Sequence, residues 1–285
     1  MTSQTTVFIT GAARGIGRAT AETFLRHGWT VGVSDVDVDA LATGWEHVTD
    51  LRTGRPRRPV VTTRLDVTDR SGWDRALDEF VAVAGSLTVL VNNAGTIVSG
   101  PFEELSWESQ SRLVDINVKG VLAGSQAAFN HLRVAGARGG GGKGAVGAER
   151  EPARIVTMCS ASAFYGQSGI VTYAATKSAV QSITEGLDLE WLRFGIRAFC
   201  VSPLWVRTAL VDDAQAAGSV SALGVRLSTE TIAAAVYRQA TQPSRVLGVP
   251  RGVNRVVGVQ TRALYHAGRL VPQVVARAVA SRLGR

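Results

Sequence analysis

Residues Thr6 to Asp35 read TVFITGAARGIGRATAETFLRHGWTVGVSD, and the order of residue types in this stretch decides the fold. A short apolar run, Thr6 to Thr10, meets Gly11, Gly15 and Gly17, and a helical pattern through Ala19, Phe24 and Leu25 follows to His27. Gly28 closes that helix, and Trp29 to Asp35 reads as a second strand. The unit is strand, glycine turn, helix, strand. Glycines let the backbone turn sharply and approach a pyrophosphate, while the helix N-terminus offers free N–H groups and a favourable dipole to the anion. Asp35 ends the second strand about twenty residues beyond the turn, where a carboxylate accepts ribose hydroxyls.

Outward from this unit the same alternation repeats. Val36 to Arg58 reads as a polar helix and basic loop, and Pro59 to Val67 as a third strand in which Asp66 is placed for an adenine contact beside Val67. Ser71 to Ala84 has helical spacing, and Leu87 to Gly95, LTVLVNNAG, is a fourth buried strand. Asn92 and Asn93 need partners at the end of an apolar strand, and tying neighbouring strands together is the reading preferred for both. Ala94 and Gly95 line the cofactor cleft. A long helix from about Ser109 to Ala135 carries Asn117 in an apolar run, either to satisfy a neighbouring backbone group or to kink the helix and hold a water.

Residues 136–152 are low in complexity and glycine-rich, and read as a mobile surface loop that buries too little apolar surface to offset its chain entropy. Ile155 to Lys177, IVTMCSASAFYGQSGIVTYAATK, then runs from an apolar strand into a helix continuing to about Phe194. Tyr173 and Lys177 stand four apart and share a helix face, so the ammonium is expected to hold the phenol below its usual ~10 and fit it as a general base. Ser160, at the strand end, can hydrogen-bond the same substrate oxygen. Ile196 to Val201 is a sixth strand. Residues 209–227 suit a lid over a substrate or a disordered surface loop equally. Ser228 caps a helix to Ala240, and Ser244 to Pro250 reads as the seventh strand.

Alternating strands and helices imply a doubly wound, Rossmann-like α/β fold, with seven parallel strands covered on both faces in a single domain over 1–250 and a basic extension over 251–285. The net charge of +8 resides in the tail: residues 241–285 hold eight arginines and no acid, leaving 23 basic against 23 acidic residues upstream. No nucleic-acid motif accompanies this charge, so a nucleic-acid partner is not expected. An apolar stripe through Leu270, Val274 and Val279 is flanked by arginines. It suits a partner subunit, an anionic membrane surface or the chain's own substrate cleft. Cys159 and Cys200 lie in apolar runs and read as buried thiols, with no metal-ligand spacing near them. No leader or membrane-length apolar run is read, so a cytoplasmic location is expected.

With these pieces in order, the chain resembles the short-chain dehydrogenase/reductase family over roughly Thr6 to Thr208. Thr10-Gly11-x-x-x-Gly15-x-Gly17 is similar to the family's cofactor turn, which includes Arg14 and Ile16 here. Asp66 matches its adenine-side acid, and Asn92 to Gly95 its NNAG. Asn117, Ser160, Tyr173 and Lys177 match its catalytic tetrad, with the thirteen-residue separation of Ser160 from Tyr173. Pro203, Val206 and Thr208 match the segment that contacts the nicotinamide carboxamide, although Leu204 stands where the family commonly has glycine.

The resemblance implies hydride transfer between NAD(H), or NADP(H), and a secondary alcohol or ketone. Tyr173 would be the proton acceptor and Ser160 would hold the substrate oxygen. Lys177 would serve tyrosine and ribose, and Asn117 would hold a relay water. The expected substrate is apolar, in a pocket drawing on Ser160, Phe164, Tyr165, Ile170, Trp205 and Leu210. Two alternatives are an NADPH-dependent reductase of biosynthetic carbonyls, including thioester-linked ones, and a dinucleotide-binding regulatory protein without turnover. Asp35 favours NAD; Arg14 pulls toward NADP. The resemblance also implies a homodimer or homotetramer through the helices carrying Asn117 and Tyr173.

Overall fold

The computed structural model describes residues 5–45, 60–139, 153–212, 220, 224–243, 245–246 and 249–270. Seven parallel strands form one sheet: β1 (Thr6–Thr10), β2 (Thr30–Asp35), β3 (Val60–Arg64), β4 (Val89–Asn92), β5 (Ala153–Met158), β6 (Ile196–Pro203) and β7 (Asn254–Val257). Their spatial order is β3-β2-β1-β4-β5-β6-β7. β1, β4, β5 and β6 are buried along their whole length. Helices cover both faces, so continuous apolar runs rather than alternating ones are what these strands require.

Nine helices are described: α1 (Gly15–Arg26), α2 (Val38–Trp45), α3 (Arg70–Ala84), α4 (Trp107–Val114), α5 (Gly120–Gly139), α6 (Val171–Trp191), α7 (Ala209–Asp212), α8 (Thr229–Thr241) and α9 (Val259–Leu270). Phe24 of α1 and Ile232 and Val236 of α8 pack on Val7 and Ile9 on one face of the sheet. On the other, Phe80 of α3 and Leu132 of α5 pack with Phe8, Leu90 and Ile155. Gly32 makes room in β2: a Cβ there would come within 2.5 Å of the Phe8 ring and 2.6 Å of Phe80. The chain winds outward through β2 and β3, then restarts beside β1 with β4, so a crevice opens at the carboxyl ends of β1 and β4.

Three boundaries differ from the sequence-based expectation. The seventh strand is Asn254–Val257, paired with Cys200–Pro203 of β6, and it lies inside the stretch read as a C-terminal extension. Arg245–Val246 and Val249–Pro250 form a separate antiparallel pair. Pro250 has no N–H to give to a ladder, which suits a short hairpin better than a sheet strand. The long helix is interrupted by a π turn at Asp115–Lys119, and α5 then continues through Gly136, the first residue of the expected loop, to Gly139. Gly136 is buried against the backbone of Phe194 and Gly195, where a Cβ would meet the Gly195 carbonyl oxygen at 2.7 Å. Residues 140–152, most of 213–223 and the stripe beyond Leu270 lie outside the described residues.

At the amino ends of β5 and β6, away from the crevice, Arg154 and Arg197 stand opposite each other and are 1% and 2% exposed. Asp188 of α6 holds the Arg197 guanidinium at 2.6 and 3.1 Å and accepts the Ala198 amide at 2.9 Å. Removing that carboxylate leaves a buried cation beside another, so Asp188→Ala is expected to cost ~3–5 kcal/mol of stability in urea unfolding. A loss under about 1 kcal/mol, the range of exposed pairs, would show that the pair is not held as described.

No helix among the described residues is long and apolar enough to cross a membrane.

Candidate active site

The glycine turn sits on the end of β4. Gly11 and Gly15 have φ of +63° and +58°, which L side chains rarely adopt. A Cβ on Gly11 would lie 2.8 Å from Ala94 Cα, and one on Gly17 2.2 Å from the Gly11 carbonyl oxygen. Asn93 holds the turn by donating from Nδ2 to the Thr10 and Gly11 carbonyls at 2.8 and 3.0 Å. Thr10 Oγ1 in return accepts the amides of Asn93 and Ala94 at 3.1 and 3.0 Å. Asn92 turns the other way, donating to Ser125 at 3.3 Å. Both asparagines tie elements together.

α1 starts without a side-chain cap or an acid in its first turn. The first helical amide to find a carbonyl is that of Arg18, bonded to Arg14, so the amides of Gly15, Ile16 and Gly17 precede the hydrogen-bonded ladder. These residues line a cavity of about 710 Å³ that runs past Asp35, Asp66 and Val67 to Gly95 and Thr208. A second cavity of about 90 Å³ shares Ile16, Asn93, Gly95, Thr96, Thr208 and Leu210 with the first, and is lined further in by Ser160, Tyr173, Lys177, Pro203, Trp205 and Val206. A long cleft opening onto free helix amides, with a glycine cradle that side chains would fill, fits an extended dinucleotide.

At the far end of the cleft Asp35 accepts the Ala13 amide at 3.1 Å and the Asp37 amide at 3.2 Å. Asp66 accepts the Thr68 amide and hydroxyl at 3.0 and 2.7 Å, and the backbone hydrogen bond is the main reason its carboxyl lies below the usual range. Arg14 is ion-paired with Asp37.

At the near end the π turn places Asn117, 1% exposed, behind Gly95. Its amide clasps one residue: Oδ1 accepts the Thr96 amide at 2.9 Å and Nδ2 donates to the Thr96 carbonyl at 3.0 Å. Nδ2 also reaches Thr176 Oγ1 at 3.1 Å, and that hydroxyl donates to the Tyr173 carbonyl at 2.7 Å. The side chain satisfies neighbouring backbone, as the first reading of Asn117 has it, and the helix around it is interrupted by the π turn. Both Nδ2 hydrogens are engaged within the protein, which leaves the second lone pair of Oδ1 as the open position of this amide.

Ser160 caps the short helical turn Ala161–Ala163. Its Oγ accepts the Ser162 amide and donates to Ser162 Oγ, each at 3.1 Å. Lys177 Nζ donates to the Met158 carbonyl at 2.9 Å and stands 5.7 Å from the centre of the Tyr173 ring. The expectation that Lys177 brings the Tyr173 phenol below its ordinary range is not met by the protein alone. Burial pushes the phenol up to about 12, and a hydrogen bond with Ser160 offsets only part of that. Burial likewise pulls Lys177 below its ordinary value. Cys159 lies beside both groups, its thiol 3.3 Å from the Lys177 carbonyl, and a hydrogen bond from Cys200 pulls its pKa down.

The structure therefore brings Ser160, Tyr173 and Lys177 to one cavity and the glycine turn, Asp35, Asp66 and Val67 to the cleft continuous with it. It does not bring in every expected substrate residue. Ile170 packs beside Tyr173 in the apolar cluster under the cavity rather than on its wall. Phe164 and Tyr165 are also off the wall, and Phe164 packs on Tyr265 of α9, ring centres 4.8 Å apart. Sequence reasoning missed Thr96, Val211 and Asp37. Thr96 directly follows the NNAG motif, and Asp37 is an acid two residues beyond Asp35; those were the available signals. Val211 comes from a segment without periodicity and carried none. Among the described residues no group of acids, histidines and cysteines could hold a metal ion.

Residues 5–218 match the family model described as short chain dehydrogenase. Sorbitol dehydrogenase of Cereibacter sphaeroides is 35% identical over 198 residues, 70% of this chain and 69% of that protein. Galactitol 2-dehydrogenase of Agrobacterium fabrum is 32% identical over 195 residues, 68% of each. Among solved structures, a gluconate 5-dehydrogenase from Burkholderia cenocepacia in complex with NADP and tartrate superposes with a TM-score of 0.71 at 26% identity, covering 91% of this chain and 95% of that one.

Proposed function

The chain belongs to the short-chain dehydrogenase family and is an NAD(P)-dependent oxidoreductase of alcohols and ketones; from that premise we propose that it takes an apolar secondary alcohol or ketone and prefers NAD. The observation that carries the substrate class is the cavity wall beyond Ser160 and Tyr173. Leu204, Trp205, Leu210 and Val211 line it, backed by a cluster that includes Ile97, Ile170, Val220 and Val225. Beyond Ser160 and Tyr173 the only side-chain hydroxyls on this wall among the described residues are those of Thr96 and Thr208, so it returns little to a polyol for its desolvated hydroxyls. Asp35 supports NAD, since its carboxylate stands where ribose hydroxyls can donate to it and would repel a 2′-phosphate.

Bound in the cleft, the nicotinamide nucleotide supplies the hydride acceptor or donor. This chain's residues do the rest. The amides of Gly15 to Gly17 hold the pyrophosphate, and Ser160 donates a hydrogen bond to the substrate oxygen. Tyr173 exchanges a proton with that oxygen, and Lys177 places a positive charge beside the phenol and the ribose. Asn117 acts as a positioning residue, holding Thr96 on the cavity wall and, through Thr176, the backbone carbonyl of Tyr173. The segment beginning at Ala209 serves as the substrate lid, its ends pinned by the bridge between Val206 and Leu227 and the 3.0 Å bond from the Arg207 amide to the Leu227 carbonyl. A second copy of the chain would cover Leu122 of α5 and Leu189 of α6, which are 47% and 82% exposed, in a homo-oligomer.

Steady-state assays across a panel of secondary alcohols and ketones with both nucleotides test this reading. Apolar alcohols should exceed hexitols in kcat/KM by at least about tenfold, ~1.4 kcal/mol, with NAD ahead of NADP. A hexitol turned over tenfold better than every apolar alcohol would overturn the substrate class, and NADP ahead by tenfold would overturn the cofactor preference.

A further inference from the structure

The ribose end of the cleft holds a pairing that neither the glycine turn nor Asp35 requires. Arg14 is the only cation in the turn from Gly11 to Gly17, and it lines the cleft together with Asp35. Left to itself, a guanidinium there is the natural partner of a phosphate, to which it can present two N–H groups at once. It is not left to itself: Asp37 holds it through Oδ2.

Asp37 is in turn held at two further points. Its Oδ1 accepts the Ala40 amide at 3.0 Å, capping the first turn of α2, and its own amide donates to Asp35 Oδ1 at 3.2 Å. The acid therefore cannot swing off to release Arg14 without uncapping α2. The next cation along the chain, Arg18 of α1, is engaged by Glu22 at 3.1 Å and lies over the Trp45 ring. The three groups at the ribose end, Arg14, Asp35 and Asp37, sum to one negative charge.

We infer that Asp37 is a specificity-determining residue: by pairing with Arg14 it cancels the turn's cation toward a 2′-phosphate, so that exclusion of NADP rests on two carboxylates, Asp35 by repulsion and Asp37 by occupying Arg14. This rests on the NAD preference proposed above and adds the device that enforces it. Exposed ion pairs contribute little to stability, and Arg14 is 67% exposed, so the pairing acts on the ligand rather than on the fold.

Asp37→Asn is the variant of choice, because the amide oxygen can still cap α2 while the charge is gone. NAD and NADP are titrated calorimetrically into the wild type, Asp37→Asn, Arg14→Ala and the double variant, with kcat/KM for both nucleotides measured alongside. Asp37→Asn is expected to tighten NADP about tenfold, equal to ~1.4 kcal/mol, and to leave NAD within about twofold. The gain should vanish in the Arg14→Ala background, and the unfolding midpoint should not move. An NADP-to-NAD ratio that stays within about twofold in Asp37→Asn, or rises equally with and without Arg14, overturns the inference. Failure of the underlying NAD preference looks different: the wild type itself would bind NADP more tightly, and the Asp37→Asn change in ratio would still report on the pairing.

Discussion

Tyr173→Phe is expected to lower kcat by ~10²–10⁴ in both directions, the range that a positioned acid–base group supplies, while nucleotide binding stays within about twofold. The substitution keeps the ring, which is buried in the cluster with Ile97, Ile170 and Trp205, and removes only the hydroxyl. The pH profile adds a second and independent signature. With burial holding the phenol up at about 12, Tyr173 is protonated throughout the neutral range. That is the form which donates a proton to a ketone, so the tyrosine imposes no pH dependence on reduction there. Oxidation needs the ionised form and should climb about tenfold per pH unit on the acid side of the phenol's pKa. Near-normal kcat in Tyr173→Phe, or an oxidation rate flat across the neutral range with chemistry rate-limiting, would remove the tyrosine from the mechanism.

What could be read from residues alone was whatever is encoded locally. The glycine turn, the NNAG strand end and the Tyr-x-x-x-Lys helix each carry their geometry within a few residues, and the structure gathers them at one crevice because the sheet reverses its winding between β1 and β4. The features that escaped depend on contacts distant in sequence. Choosing Asn254–Val257 over Ser244–Pro250 for the edge strand is settled by pairing with β6, some fifty residues earlier. The π turn at Asp115–Lys119 has no residue signature; it is held from outside, by Thr96 and Thr176 on the amide of Asn117. The direction of the Tyr173 shift was misread because the sequence places Lys177 near the phenol but cannot weigh that charge against burial. Lys177 spends its hydrogen bond on the Met158 carbonyl, and desolvation dominates. Phe164 and Tyr165 were expected in the pocket, yet Phe164 packs on Tyr265 of α9, a helix that the sequence reading had not placed.

Lys177→Met should separate function from stability more sharply than any other change in the site. Lys177 is 6% exposed; its ammonium donates to a carbonyl at 2.9 Å and has no carboxylate in an ion pair with it among the described residues. Methionine of similar length forfeits that hydrogen bond but is relieved of burying a charge, so stability is expected to stay within about 1 kcal/mol of the wild type. Activity should not be spared: losing the cation beside the phenol and the ribose should cost ~10²–10³ in kcat/KM, about 2.7–4 kcal/mol, with the KM for nucleotide rising as kcat falls. The direction of the pH effect follows from two opposed titrations. As pH rises, ionisation of Tyr173 favours oxidation, while loss of the Lys177 proton, brought below its ordinary range by burial, removes the charge that steadies the phenolate. The wild-type oxidation profile should therefore climb and then bend over at alkaline pH. In Lys177→Met the residual activity should climb without that bend, displaced to higher pH because phenolate has lost its neighbouring cation. A variant that keeps wild-type kcat/KM, or whose residual profile bends where the wild type's does, would show that the ammonium serves the fold and not the chemistry.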